Sequence, residues 1–133
     1  MASPISTEPT AVAIVIRNGE RFVAIRATHR GGKIGFVAGQ VDPGETVDAA
    51  AVREAKEEAG IDVTGVHILG ERHAGTRLCA LAVAESWSGE LRSSDEGEAF
   101  WATRDELVGA SSAYPSWNAW ALERLEATLS RRS

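Results

Sequence analysis

A stretch of 23 residues, 39–61, constrains the fold of this chain more than any other part of the sequence. An Asp-Pro-Gly turn at 42–44 supplies a side-chain acceptor, a fixed φ and a residue that tolerates positive φ. Thr46 can then accept a hydrogen bond at the start of a helix, and Gly60 can end that helix in the left-handed conformation. The stretch therefore predicts a tight turn followed directly by a helix.

Three glutamates share one edge of the predicted helix. At about 100° per residue, Glu54, Glu57 and Glu58 fall within one arc of about 100°. The adjoining arc, which should face a core, holds Val47, Ala51, Ala55 and Ala59. Carboxylates at this spacing repel each other by a few tenths of a kcal/mol per pair. A hard divalent cation such as Mg²⁺ would relieve that repulsion, whereas the alternative interpretation is an ordinary acidic surface helix.

The spacing of the same stretch matches the sequence pattern called the Nudix box. The matching positions are Gly39, Glu45, Arg53-Glu54, Glu57-Glu58 and Gly60-Ile61, with Ala55 at the first apolar position. The chain therefore resembles the Nudix hydrolases. Its compact size and the segment from Trp87 to Trp101 are similar to the MutT-like group, and the downstream marks typical of other Nudix groups are not found. This resemblance implies an α/β fold, an α/β/α sandwich with a mixed β-sheet. It also implies Mg²⁺-dependent hydrolysis, with Mn²⁺ as an alternative cation, of a nucleoside triphosphate or a nucleoside diphosphate linked to another group.

Two alternatives to this function stay open at the level of the sequence. The first is a hydrolase of a non-nucleotide diphosphate, and the second is a Nudix module that senses a nucleotide without cleaving it. Many Nudix proteins have Pro-Gly-Gly where this chain has Ala38-Gly39-Gln40, which affects details of the loop and of substrate choice more than the reaction.

The resemblance assigns roles to individual residues. The implied metal ligands are the carbonyl of Gly39 and the carboxylates of Glu54, Glu57, Glu58 and Glu96. Glu98 is the alternative to Glu96, and Glu57 is alternatively the general base. The implied catalytic residues are Glu45, Arg53, Glu54 and Glu57, among which Arg53 and Glu45 would form a supporting ion pair.

Five further residues are candidates for substrate binding. Arg26, Arg30 and Lys33 precede the box and could bind polyphosphate oxygens, unless they belong to a solvated loop. Phe36 and Trp101 could stack on a base, unless they are core residues. A small-molecule nucleotide or diphosphate is therefore the expected partner.

The composition excludes several other classes of protein. The net charge of −5 argues against binding to duplex nucleic acid, which favours basic surfaces. The one cysteine, Cys79, excludes an internal disulfide. Neither a signal peptide nor a membrane helix is predicted, so a cytoplasmic location is expected, and a homodimer is compatible with the sequence. We expect a flexible N-terminus at 1–10 and a single domain over 11–133.

The remaining pattern predicts the order β-β-β-α-β-β-β-α. The predicted strands are 11–16, 21–26, 34–38, 61–72, 76–85 and 99–102, and the second helix is 116–130, capped by Ser116. A turn at 86–90 and a loop at 93–98 are predicted to connect the later strands.

Overall fold

The computed structural model describes residues 8–132, with side chains up to residue 130. The first seven positions of the predicted flexible N-terminus lie outside the described residues. Thr10, the last residue of that predicted segment, donates its N–H to Leu78 and accepts a hydrogen bond from the N–H of Val41. The chain is therefore joined to two strands before the first predicted strand begins.

The described chain contains seven strands and three α-helices. The strands are β1 (Ala11–Val15), β2 (Arg17–Asn18), β3 (Arg21–Ala27), β4 (Ile34–Gln40), β5 (Asp62–Ala74), β6 (Arg77–Ser88) and β7 (Gly97–Thr103). The helices are α1 (Val47–Ala59), α2 (Arg104–Val108) and α3 (Pro115–Arg132). A short 3₁₀ turn at Thr28–Arg30 follows β3. No helix in this part of the chain combines the length and apolar character needed to cross a membrane.

The strands form one mixed sheet in the order β2-β3-β4-β1-β6-β5, with β7 paired to β3. Strand β1 runs parallel to β6 and antiparallel to β4. The other strand pairs are antiparallel. The mixed sheet predicted from the sequence is therefore confirmed.

Helices cover both faces of the sheet. On one face the fully buried Ala51, Ala55 and Ala59 of α1 pack against strand residues such as Ile14 and Val37. On the other face, α2 and α3 pack over the opposite strand residues. The buried stripe of α3 consists of Trp117, Ala121, Leu122 and Leu125. This arrangement is the predicted α/β/α sandwich.

The ends of α1 follow the chemistry predicted from the sequence. The hydroxyl oxygen of Thr46 accepts a hydrogen bond of 3.1 Å from the N–H of Ala49. Gly60 has a φ of 72°, and its N–H donates to carbonyls in the last turn of the helix. Since an L side chain is strained at this φ, the glycine fixes the point at which the helix ends.

Most boundaries shift by one to three residues, and three of the shifts change the assignment of a predicted turn, loop or cap. Residues 86–88 form the end of β6 and pair with 62–64 instead of turning, because β5 extends alongside them. Gly97 and Glu98 belong to β7, not to a loop, and a Cβ at Gly97 would lie 2.3 Å from the carbonyl oxygen of Arg26. Helix α3 begins at Pro115, so Ser116 lies inside the helix instead of capping it. A proline suits the first helical position, where no N–H is needed.

Candidate active site

Three carboxylates meet at one edge of α1. Oxygens of Glu54, Glu58 and Glu96 lie within 4.8 Å of one another, the only such acidic group in the described part of the chain. Glu54 and Glu58 lie on the half of α1 that faces the sheet and are 7% and 8% exposed. Glu96 comes from the segment before β7, where its carbonyl accepts a hydrogen bond from the N–H of Thr28. The helix and this segment thus bring together carboxylates 38 residues apart.

Burial favours the protonated form of the carboxyls in this cluster. Loss of water around Glu58 raises the pKa of its carboxyl to about 9, and the hydrogen bond with Glu96 acts in the same direction. The N–H of Ala38 opposes the shift by donating a hydrogen bond of 2.9 Å to Glu58. Burial likewise raises the pKa of Glu54, although Arg53 partly offsets the rise. A clustered set of carboxylate oxygens with unfavourable charge repulsion fits a hard divalent cation.

Gly39 leaves the space that the Glu54 carboxyl fills. A Cβ at this position would lie 2.2 Å from Cδ of Glu54 and 2.3 Å from its Oε1. Such distances are far below van der Waals contact, so only glycine allows β4 to approach the carboxyl group this closely. The backbone of Gly39 therefore forms part of the wall of the site.

Arg53 connects the turn before α1 to the carboxylates on the helix. Its Nε and Nη2 donate to the two oxygens of Glu45 at 2.8 and 2.9 Å, so the predicted ion pair is present and bidentate. Its Nη1 donates to Glu54 at 2.8 Å and to Glu57 at 3.1 Å. The hydrogen bonds from Arg53 lower the pKa of Glu45 to about 2. Arg53 thereby fixes the position of the loop and of Glu54 together.

Two of the sequence candidates lie beside the cluster. The side chain of Glu57 is 57% exposed and contacts Arg53, and its carboxylate is not part of the group formed by Glu54, Glu58 and Glu96. Glu98, the alternative to Glu96, pairs with Arg26 at 3.5 Å. The structure thus brings together three of the four carboxylates implied by the resemblance.

A cavity of about 410 Å³ lies on the opposite, α3-facing side of β4. Its lining comes from β1, β4, the turn between β5 and β6, and the beginning of α3. The residues at its aromatic walls are Phe36, Tyr114 and Trp117. Ala38 and Gly39 also line it, so the cavity and the carboxylate cluster are separated by a single strand. Its volume lies within the range of small-molecule sites.

Asn118 presents a fixed amide at this cavity. The residue is only 2% exposed, and its Nδ2 donates to the carbonyl of Leu107 at 2.9 Å and to Oγ of Ser112 at 3.0 Å. Because the carbonyl of Leu107 can only accept a hydrogen bond, the end of the Asn118 amide that faces it must be the nitrogen. Both N–H groups are thus committed, and Oδ1 is the group that can accept a hydrogen bond from a ligand.

The structure separates the five predicted substrate-binding residues. Arg30 and Phe36 line the cavity. Arg26 pairs with Glu98 and lies over the ring of Phe100, and Lys33 is exposed outside the cavity lining. Trp101 packs against Trp87 on the α1 side of the sheet, with 5.1 Å between ring centroids.

Sequence reasoning missed Arg77, Tyr114 and Asn118, which also line the cavity. One indication of Asn118 was present, because it precedes Ala121 and Leu122 by three and four positions and so shares their buried helix face. A polar residue on an apolar stripe needs a hydrogen-bonding role. For Arg77 and Tyr114, the pattern gave no comparable indication.

A family model described as the NUDIX domain matches residues 7–125. The chain belongs to the NUDIX family. The carboxylate cluster and the adjoining Gly39 thus lie within a NUDIX domain, as the spacing of the box predicted.

Two solved structures share the fold. A MutT NUDIX hydrolase from Burkholderia pseudomallei superposes with a TM-score of 0.73 at 24% identity, covering 87% of this chain and 96% of that one. A protein described as an ADP compounds hydrolase superposes with a TM-score of 0.74 at 26% identity, covering 92% and 74%.

The NAD-capped RNA hydrolase NudC of Vibrio vulnificus (strain CMCP6) is similar in sequence. It is 31% identical over 103 residues, which are 74% of this chain and 40% of NudC. The matched region thus spans well under half the length of that relative.

Proposed function

We propose that this NUDIX protein uses Mg²⁺ to hydrolyse a diphosphate bond in a nucleoside triphosphate or in a nucleoside diphosphate linked to another group. The observation that carries this proposal is the cluster of Glu54, Glu58 and Glu96 beside Gly39. Mn²⁺ is an alternative cation, because both are hard ions that prefer oxygen ligands. The relatives support the substrate class, since NudC and the ADP compounds hydrolase are named for nucleotide compounds.

Different residues of the chain would hold the cation and position the reactants. Glu54, Glu58 and Glu96 would hold Mg²⁺, together with the backbone oxygen of Gly39. When bound, this cation neutralises phosphate oxygens and acidifies water. Because its ligands must be deprotonated, Glu58 would have to lose its proton in order to hold the cation.

Glu57 is the proposed proton acceptor for the attacking water. Its carboxylate lies outside the three-carboxylate cluster and is accessible to solvent, so it is not needed to hold the cation. Arg53 bonds to both Glu54 and Glu57 and would keep the acceptor at a constant position relative to the cluster. A base positioned in this way contributes about 10²–10⁴ in rate.

The cavity on the α3 side is the proposed position of the nucleoside. Phe36, Tyr114 and Trp117 offer apolar and aromatic surface, and base rings stack favourably on such side chains. The Oδ1 atom of Asn118 would accept a hydrogen bond from an N–H or O–H group of the nucleoside. The two parts of the substrate would be joined past the edge of β4 at Ala38, where β4 no longer pairs with β3 and the N–H of Ala38 donates to Glu58.

A substrate screen in isotopically labelled water tests this function. The purified protein is incubated with nucleoside triphosphates, nucleotide-linked diphosphates and non-nucleotide diphosphates, with Mg²⁺ or with a chelator. We expect Mg²⁺-dependent cleavage of nucleotide compounds, with label from water in one phosphate product. Cleavage confined to non-nucleotide diphosphates would overturn the substrate class, and tight binding without products would indicate a sensor.

A further inference from the structure

The α3-side cavity has a positive charge that the carboxylate cluster across β4 does not share. Two basic residues, Arg30 and Arg77, line the cavity, and none of its described lining residues is acidic. Neither arginine forms an ion pair within the described residues. The protein as a whole has a net charge of −5, whereas the lining of this cavity is positively charged.

Arg30 is held beside the cavity by an aromatic ring, and Arg77 lies at the cavity wall at the start of β6. The guanidinium of Arg30 lies 5.1 Å from the ring centroid of Tyr114, an arrangement that favours a planar cation over an aromatic face. Arg77 begins β6 directly after the turn at Gly75, which has a φ of 66°. The positive charge of Arg77 acts on the buried Cys79 at the cavity wall, opposing the burial that raises the pKa of this thiol to about 12. The first turn of α3, at the same cavity, contains no acidic residue.

We propose that the nucleoside taken into this cavity carries a phosphomonoester on its ribose, which Arg30 and Arg77 bind. This inference rests on the proposed function and names the substrate class more narrowly. The diphosphate to be cleaved would lie at the carboxylates on the other side of β4, so a second anion is needed to match the two guanidinium groups. A phosphomonoester is a dianion near neutral pH, and its oxygens suit the paired N–H groups of arginine.

Matched substrates that differ by one phosphate test the proposal. Each pair consists of a nucleotide-linked diphosphate with an unmodified ribose and the same compound with a phosphate at the 2′ or the 3′ position. We expect the phosphorylated member to have a kcat/KM at least about tenfold higher, and the two positional isomers identify which ester is bound. Equal kcat/KM values within both pairs would overturn the inference.

Arginine variants determine whether the guanidinium groups bind the additional phosphate or the diphosphate itself. In the double variant R30Q/R77Q, the preference for the phosphorylated member should fall to about twofold or less. R104Q is the matched control, because Arg104 pairs with Glu126 outside the cavity, and it should keep the wild-type preference. An equal loss of kcat/KM for both members of a pair would mean that the arginines bind the diphosphate, which would contradict the proposal.

A binding measurement separates this inference from the proposed catalytic function. Calorimetry without Mg²⁺ compares adenosine 5′-monophosphate with the adenosine 2′,5′- and 3′,5′-bisphosphates. At least about tenfold tighter binding of one bisphosphate, lost in R30Q/R77Q, supports the inference even if no diphosphate is hydrolysed. Hydrolysis of nucleotide diphosphates without any preference for the additional phosphate would leave the catalytic function intact and refute this inference alone.

Discussion

The two sides of strand β4 differ in charge, in composition and in the way the sequence encodes them. On the α1 side, three carboxylates from α1 and the segment before β7 converge beside Gly39. On the α3 side, two arginines, three aromatic rings and one buried amide surround a cavity. The first arrangement suits a cation and phosphoryl chemistry, and the second suits recognition of an organic group. Under the proposed function, chemistry and specificity would be carried by separate elements that share one strand.

Ala38 shows how closely the two sides are linked. Its N–H donates to Glu58 in the carboxylate cluster, while its side chain packs on the α3-side core and lines the cavity. Alternation along a strand puts neighbouring side chains on opposite faces. Changes on one side can therefore be tested for their effect on the other.

The largest effect is expected from E58Q, which removes an ionisable cation ligand from the α1 side alone. Turnover should fall at least about a hundredfold, while KM changes little, as steady-state kinetics will show. The amide oxygen of glutamine can still accept from Ala38, so the fold should remain. D48N, on the exposed side of the same helix, is the matched control and should retain wild-type turnover. If E58Q had the turnover of the wild-type protein, the carboxylate cluster would have no role in the reaction.

G39A tests the approach of β4 to the cluster. The added methyl would lie 2.2 Å from Cδ of Glu54, so the carboxyl group must move. We expect kcat to fall between about tenfold and about a hundredfold, with about 1–3 kcal/mol lost from the free energy of unfolding. G35A is the comparison on the same strand: its added Cβ would meet Nη1 of Arg30 at 3.4 Å, beside the proposed substrate cavity, so KM can change while kcat keeps the wild-type value. Equal kcat values in the two variants would contradict the assigned role of Gly39.

N118L should affect the α3 side without affecting the chemistry. Loss of the amide should raise KM about tenfold, since an unmade hydrogen bond in a buried site costs about 1–3 kcal/mol, while kcat changes less than about threefold. The free energy of unfolding should also fall, because Leu107 and Ser112 lose their donor. Kinetics are therefore measured well below the variant's melting temperature. A fall in kcat at constant KM would mean that Asn118 affects the reaction at the carboxylates, so that the two sides of β4 do not function separately.

The smallest expected effect is the pH dependence of stability in the metal-free protein. The pKa of Glu58 in the folded state, about 9, exceeds the ordinary value of 4.5, so the folded state binds the proton more tightly. Its contribution is complete below the unfolded pKa and is lost as the pH rises towards about 9. Between about pH 5 and about pH 8, the free energy of unfolding should fall by at least about 1 kcal/mol. Denaturant titrations of wild type and E58Q will show whether this slope becomes smaller in the variant; burial of Glu54, whose pKa is also raised, keeps part of it.

The α1 side could be predicted from the sequence because the residues that determine its structure are close together in the chain. The cap at Thr46, the end at Gly60 and the buried alanines of α1 lie within one continuous stretch whose geometry follows from helix periodicity. The ion pair between Arg53 and Glu45 was implied by the resemblance to the Nudix box instead of by helix periodicity, and the structure contains it. Even there, the sequence grouped Glu57 with Glu54 and Glu58, whereas rotation around the helix leaves Glu57 at the solvent edge.

The α3 side could not be predicted because its residues come from distant parts of the chain. Arg30, Arg77 and Asn118 meet only after the sheet order and the docking of α3 are fixed. Trp101 was predicted to stack on a base, but alternation along β7 places it on the α1 side, away from the cavity. The end of β6 at Ser88 was also missed, because its polar residues pair with an equally extended β5.

Calorimetric titration of the metal-free protein with Mg²⁺ at neutral pH tests the central claim most directly, that the α1-side carboxylates form a cation site. The wild-type protein should bind Mg²⁺ and release protons, because Glu58 must ionise to act as a ligand; comparison of buffers with different ionisation enthalpies counts those protons. E58Q should bind at least about tenfold more weakly and release fewer protons. Equal affinity and equal proton release in the two proteins would contradict the account.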